Sequence, residues 1–144
     1  MQNFNSNSEE ETIEFAKKYA STLKENKIIL LCGDLGSGKT KFVQGILRYF
    51  NLEDEISSPT FTIVNEYKNE NISIYHFDLY RLEDIDEFFA IGGEEYFSKG
   101  ICIFEWGELI EPILKDYNYT KITFSRNTDI PDFRNLEIEE IEKH

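Results

Sequence analysis

Ile28-Ile29-Leu30-Leu31-Cys32 runs directly into Gly33-Asp34-Leu35-Gly36-Ser37-Gly38-Lys39-Thr40. The second part of this stretch fits G-x-x-x-x-G-K-[ST], the phosphate-binding P-loop. The five residues before Gly33 are all apolar, as a strand buried on both faces of a parallel sheet requires. After the loop, Phe42, Val43, Ile46, Leu47 and Phe50 recur at helical spacing. The motif therefore stands between a predicted strand and a predicted helix. Glycines let successive backbone N–H groups face an anion closely, and a helix N-terminus adds partial positive charge. Lys39 is expected to reach the β- and γ-phosphates, and the Thr40 hydroxyl to bind Mg²⁺. A plain glycine-rich turn is the bland alternative; four fixed positions match by chance in roughly one chain in a hundred or fewer at average residue usage.

The chain has 144 residues, enough for one domain with one core, so residues 1–144 read as a single P-loop domain. Charged residues make up 30% and hydrophobic residues 40%, a globular balance. No apolar run reaches membrane-spanning length. The polar start, Met1 to Asn7, lacks the regions of a signal peptide. Cys32 and Cys102 fall inside predicted buried strands and read as small core residues. A reducing cytoplasm fits this. The net charge of −13 argues against an independent grip on nucleic acid, which needs clustered cations. It leaves room for a local basic patch at the loop and for an acidic docking surface.

Ser8 before Glu9, Glu10 and Glu11 predicts a capped helix start, with Ser8 and Glu11 spaced as a capping box, and an apolar stripe to about residue 25. Residues 63–67 and 72–78 read as a hairpin around Asn69-Glu70-Asn71. A short helix is expected from Leu82 to Phe89, ending near Gly92-Gly93, and a helical turn from Glu94 to Phe97. Ile101 to Phe104 is an unbroken apolar strand ending at Glu105. Leu109, Ile110, Ile113 and Leu114 predict a further helix. Residues 119–124 and 134–141 read as the last strands. The pattern is an α/β class: a three-layer domain with a mixed, mainly parallel central sheet. Its ligand is expected outside the carboxyl ends of the strands.

A P-loop protein that hydrolyses nucleotide usually adds a carboxylate near Mg²⁺ at the end of a second strand. Asp78 and Glu105 both qualify; the strand before Glu105 is the more apolar and so the more central. Thr60 and Thr62 follow Pro59 in a polar segment of the kind that closes over a γ-phosphate, though Ser-Pro-Thr is also an ordinary turn. His76 shares a strand face with Asp78. By itself it reads as a hydrogen-bonded core histidine.

The motifs Gly33–Thr40, Ser58-Pro59-Thr60-Phe61-Thr62, His76-Phe77-Asp78-Leu79-Tyr80-Arg81-Leu82 and Glu105-Trp106, in this order and at these separations, resemble the TsaE (formerly YjeE) family. That resemblance implies a P-loop α/β fold, binding of ATP with Mg²⁺, and slow hydrolysis. It implies a role in threonylcarbamoyladenosine modification of tRNA next to the anticodon, through the TsaB–TsaD complex, which hydrolysis resets between cycles. By motif, Lys39 matches the phosphate position, Thr40 and Glu105 the Mg²⁺ positions, Thr60 and Thr62 the first switch-like motif and Asp78 the second. Gly33, Gly36, Ser37, Gly38 and Lys41 go with the phosphate loop, Ser37 standing where alanine is common. Glu9 and Arg134 match the adenine side. Three rival readings differ in what they need. A GTPase needs an N-K-x-D element, which the sequence lacks. A small-molecule kinase needs an arginine-rich lid, and only Arg126 and Arg134 follow Glu105. A non-hydrolysing ATP-binding module would release no ADP.

Overall fold

The protein is described by a computed structural model that covers residues 2–23, 27–33, 38–52, 63–127 and 129–143. Among these residues seven strands form one sheet. They are β1 (Gln2–Ser6), β2 (Ile28–Gly33), β3 (Val64–Lys68), β4 (Ser73–Asp78), β5 (Ile101–Glu105), β6 (Tyr119–Asn127) and β7 (Ile130–Ile141). Their order across the sheet is β1-β7-β6-β2-β5-β4-β3. The four inner strands β6, β2, β5 and β4 run parallel. The outer pairings β1–β7, β7–β6 and β4–β3 are antiparallel. The mixed sheet flanked by helices is the expected α/β class. β2 lies between two parallel neighbours, and its residues Ile28 to Cys32 are all buried, so an unbroken apolar run is what that place demands.

Strand alternation splits the core in two. Ile29 and Leu31 of β2, Ile74 of β4, and Ile101 and Ile103 of β5 face the helix α1 (Glu9–Ala20) and the helix α2 (Lys39–Tyr49). From α2 this layer takes Phe42, Val43, Ile46 and Leu47, the four residues that set its helical period. Ile28, Leu30, Cys32, Tyr75, Phe77, Cys102 and Phe104 face the other way. There Phe88 of the short helix α3 (Ile85–Ala90) meets Phe77 and Phe104, which stack on each other at 4.5 Å. Both cysteines are buried and free.

The elements depart from sequence expectation in several places; α3 starts at Ile85 rather than Leu82, and β7 at Ile130 rather than residue 134. α1 ends at Ala20 rather than near residue 25. The stretch after Glu105 forms two short 3₁₀ turns, Gly107–Leu109 and Glu111–Ile113, in place of a helix. Pro112 leaves no room for a ladder of i→i−4 bonds there. The polar start of the chain forms β1, an edge strand whose register with β7 runs from Gln2↔Ile138 to Ser6↔Arg134. At the cap of α1, the Glu11 N–H donates to Ser8 Oγ at 3.1 Å, as the capping box predicts. The Glu11 carboxylate in turn accepts from the Asn7 N–H at 3.3 Å, one residue earlier than expected.

Candidate functional site

The same alternation builds the site. His76 and Asp78 on β4 share the face of Ile74, and Glu105 on β5 shares the face of Ile101 and Ile103. That is the face covered by α2. All three therefore end up on the side of the sheet where the helix after the P-loop begins, at the carboxyl ends of parallel strands. Asp78 and Glu105 stand directly opposite each other in the β4–β5 register.

α2 starts at Gly38, whose φ of 103° is left-handed and favours glycine. Among the described residues no side chain caps this start, and no acid lies in its first turn. α1 is the opposite case, with Ser8 as its cap and Glu9, Glu10 and Glu11 following. The start of α2 carries the partial positive charge of a helix N-terminus. Gly33, at the end of β2, has a φ of 127°, and a Cβ there would lie 2.4 Å from the Phe124 carbonyl oxygen. Glycine is required by both conformation and space.

Lys39 is only 4% exposed. Its Nζ donates to the Gly33 carbonyl at 2.7 Å and sits 3.7 Å above the Trp106 ring. Among the described residues no carboxylate pairs with it, so a nearly buried ammonium is held by one carbonyl and one indole face. An anion entering here would meet the Lys39 ammonium at close range. The next residue, Thr40, directs its hydroxyl to Glu105 Oε1 at 3.4 Å. The other oxygen of that carboxylate, Oε2, lies 2.6 Å from His76 Nε2. Trp106 owes its place over Lys39 to a left-handed backbone, with φ of 62°. Gly107 then packs so tightly on β2 that a Cβ would come 2.5 Å from Leu30 Cβ. Tyr80 covers the indole from outside at 5.0 Å.

An open cleft of about 230 Å³ runs over these groups. Ser8, Glu9 and Thr12 of the α1 start line one part of it. Gly38, Lys39, Thr40 and Lys41 form its floor, with Glu105 and Trp106 on one wall and Asp132 and Arg134 of β7 on another. Among the described residues three cations and three acids line the cleft, whereas the chain as a whole has 15 basic and 28 acidic residues. These described residues balance in charge and form no basic patch. Lys41 and Glu9 form an exposed ion pair at 3.6 Å across the cleft floor. Arg134 donates through Nη1 to the carbonyls of Pro131 and Phe133, at 2.7 and 2.8 Å. Its stem lies 3.7 Å from where a Cβ on Gly38 would be.

The cleft thus gathers Glu9, Gly38, Lys39, Thr40, Lys41, Glu105 and Arg134 of the residues singled out in the sequence. Gly33 adjoins it through the Lys39 bond. Asp78 is not part of the lining; its Oδ1 accepts from the Tyr80 N–H at 3.2 Å and so caps the turn Leu79–Arg81. Gly36, Ser37, Thr60 and Thr62 lie outside the described residues. Sequence reasoning missed Ser8, Thr12, Asp132 and the contact of Trp106 with Lys39. Ser8 was legible as a cap but not as a cleft wall, because only the packing of α1 beside α2 puts it there.

The donor types suit Mg²⁺. A threonine hydroxyl and a carboxylate are hard oxygen ligands, and Mg²⁺ typically takes one or two protein groups, completing its shell with water and phosphate. Among the described residues no group of three or more His, Cys, Asp and Glu gathers that could hold a metal ion.

Strand, left-handed glycine turn, uncapped helix and buried lysine define a P-loop-like α/β domain. The family described as "Threonylcarbamoyl adenosine biosynthesis protein TsaE" matches residues 6–135. The chain belongs to the TsaE family. It is 50% identical over 109 residues to the tRNA threonylcarbamoyladenosine biosynthesis protein TsaE of Rickettsia bellii, covering 75% of this chain and 76% of that one. With the protein of the same description from Rickettsia conorii it shares 48% identity, over 75% of this chain and 62% of that one. A solved structure described as Bacillus subtilis YdiB superposes with a TM-score of 0.72 at 33% identity, covering 94% of this chain and 82% of that one.

Proposed function

We propose that this protein binds ATP with Mg²⁺ and hydrolyses it slowly, and that it acts on the TsaB–TsaD complex in threonylcarbamoyladenosine modification of tRNA. Membership of the family, which belongs to that biosynthesis, supports the process. One observation carries the chemistry: the nearly buried Lys39, at the uncapped start of α2, stands beside a Thr40–Glu105 pair in a single cleft. On this reading Lys39 and the first N–H groups of α2 hold the phosphates, and Lys39 compensates charge that grows during transfer. Thr40 and Glu105 hold Mg²⁺, which supplies charge neutralisation at the phosphates. Asp78 orients water, Thr60 senses the γ-phosphate, and Glu9 and Arg134 border the base.

ADP release from ATP, measured with and without candidate phosphate acceptors, tests the activity. Steady ADP formation in Mg²⁺ alone supports hydrolysis. ADP that appears only with a small-molecule acceptor supports the kinase reading instead. Pull-down with TsaB–TsaD in ATP, in ADP and without nucleotide tests the partner.

A further inference from the structure

We propose that His76 is the positioning residue for Glu105. It holds one carboxylate oxygen so that the other stays turned to Thr40 and the metal. The inference rests on the functional reading above and extends it to a residue outside the cleft. In the parallel β4–β5 register His76 faces Ile103, and Glu105 faces Asp78. His76 and Glu105 are therefore diagonal neighbours on one sheet face, within reach only because both side chains are long. Their side chains are each 14% exposed, and the contact is short, at 2.6 Å. A carboxylate has only acceptors, so Nε2 carries the hydrogen and donates it to Oε2. This occupies one oxygen and fixes the carboxylate plane. The second oxygen, Oε1, is the one 3.4 Å from the Thr40 hydroxyl.

His76 does not itself line the cleft, whereas Glu105 does. Whatever His76 contributes at the metal passes through that carboxylate. Asp78, directly opposite Glu105, accepts through Oδ1 from the Tyr80 N–H. Without the imidazole, Glu105 could rotate, and a metal would have to select the productive rotamer from several. Partners of this kind typically contribute about 10- to 100-fold in metal affinity.

The test is metal binding rather than turnover. Mn²⁺ is titrated against the protein–ADP complex by electron paramagnetic resonance, and ADP affinity is measured separately in EDTA. His76→Leu, of similar bulk, is expected to weaken Mn²⁺ by about tenfold or more with ADP affinity in EDTA unchanged. His76→Gln keeps an N–H donor and is expected to recover most of the loss. In a Glu105→Ala background, His76→Leu is expected to have no further effect on Mn²⁺. Unchanged Mn²⁺ affinity in a folded His76→Leu protein overturns the proposal. So does an equal loss of ADP affinity in EDTA, or an undiminished effect in the Glu105→Ala background. If His76→Leu does not fold, His76→Gln decides alone: Mn²⁺ affinity within about threefold of wild type is expected, and a larger loss overturns the inference. Wild-type protein that binds no ADP, with or without metal, overturns the functional reading itself and this inference with it.

Discussion

Lys39 is the most deeply buried of the cations that line the cleft among the described residues. It is only 4% exposed, held by a carbonyl and an indole face. Replacing it with alanine removes that buried charge along with its function, so the fold is expected to survive. Hydrolysis in Lys39→Ala is expected to fall about a hundredfold or more, with the circular dichroism spectrum unchanged; wild-type activity in the folded variant would sink the site. The two acids separate in the same way. Glu105 is bonded to Thr40 and His76, whereas Asp78 caps a turn beside them. Glu105→Ala is expected to raise the Mg²⁺ concentration needed for half-maximal rate. Asp78→Ala is expected to lower the rate on the order of a hundredfold at saturating Mg²⁺, and the reverse pattern would exchange their roles. Much of this was legible at the residue scale, because P-loop chemistry is carried by consecutive residues. Part of what was hidden, the contact of Trp106 with Lys39, depends on the turn after β5. Nothing local announces that Trp106 takes a left-handed backbone, and that conformation is what lays its ring over Lys39.

At the scale of elements, α1 and α2 meet at Gly45. A Cβ there would come 2.4 Å from the Ile13 carbonyl oxygen and 2.6 Å from Ala16 Cβ. Glycine inside a helix ordinarily costs about 0.5–1 kcal/mol relative to alanine, so an exposed site would gain from the exchange. Here the helices would have to move apart, at about 1–3 kcal/mol, and the second effect wins. Gly45→Ala is expected to lower the thermal midpoint by a few degrees, at roughly 3–5 °C per kcal/mol for a chain of this size. A midpoint at or above wild type would show that the helix contact is looser than the structure has it. The elements themselves were readable where one period dominates. β2 is apolar throughout because both its faces are buried, and α2 shows its stripe from Phe42 to Leu47. β1 was not readable. Gln2, Asn3 and Asn5 carry no strand preference, and the segment is a strand because the edge of β7 supplies partners for its backbone. The stretch from Leu109 to Leu114 failed for a related reason. Its apolar residues have helical spacing, but Ile110 and Leu114 are satisfied by two tight turns over the core.

For the whole molecule, an excess of acid has two consequences. The first is for stability. Burial alone would raise the carboxyl of Glu111, but hydrogen bonds from Lys121 and Tyr119 and the Lys121 charge together hold it below the ordinary 4.5. Glu140 follows the same pattern: burial is outweighed by hydrogen bonds from Lys27 and Thr120 and by the Lys27 charge. Both groups release their proton more readily in the folded chain, so the unfolded chain binds more protons in acid. The stability they add is complete above 4.5 and is lost as pH falls through the lower folded-state values. Urea midpoints are expected to drop below that pH, and to drop less in Glu111→Gln; an equal drop in the variant would remove Glu111 from the account. The second consequence is for partners. A chain of net charge −13 is poorly suited to holding tRNA, since phosphate contacts need cations, yet the family belongs to a tRNA modification. The two agree if this protein acts on the modifying enzyme rather than on the RNA. A nucleotide changes such docking only by its difference in affinity for docked and free states. Docking to TsaB–TsaD is therefore expected to be tighter with ATP than with ADP by about 1–3 kcal/mol, a typical coupling. By linkage, the partner must tighten ATP binding relative to ADP by the same factor. Paired titrations, of partner at fixed nucleotide and of nucleotide at fixed partner, check both halves of that equality. Equal partner affinity in ATP and ADP, or tight binding of tRNA by this protein alone at physiological salt, would refute ATP-dependent docking.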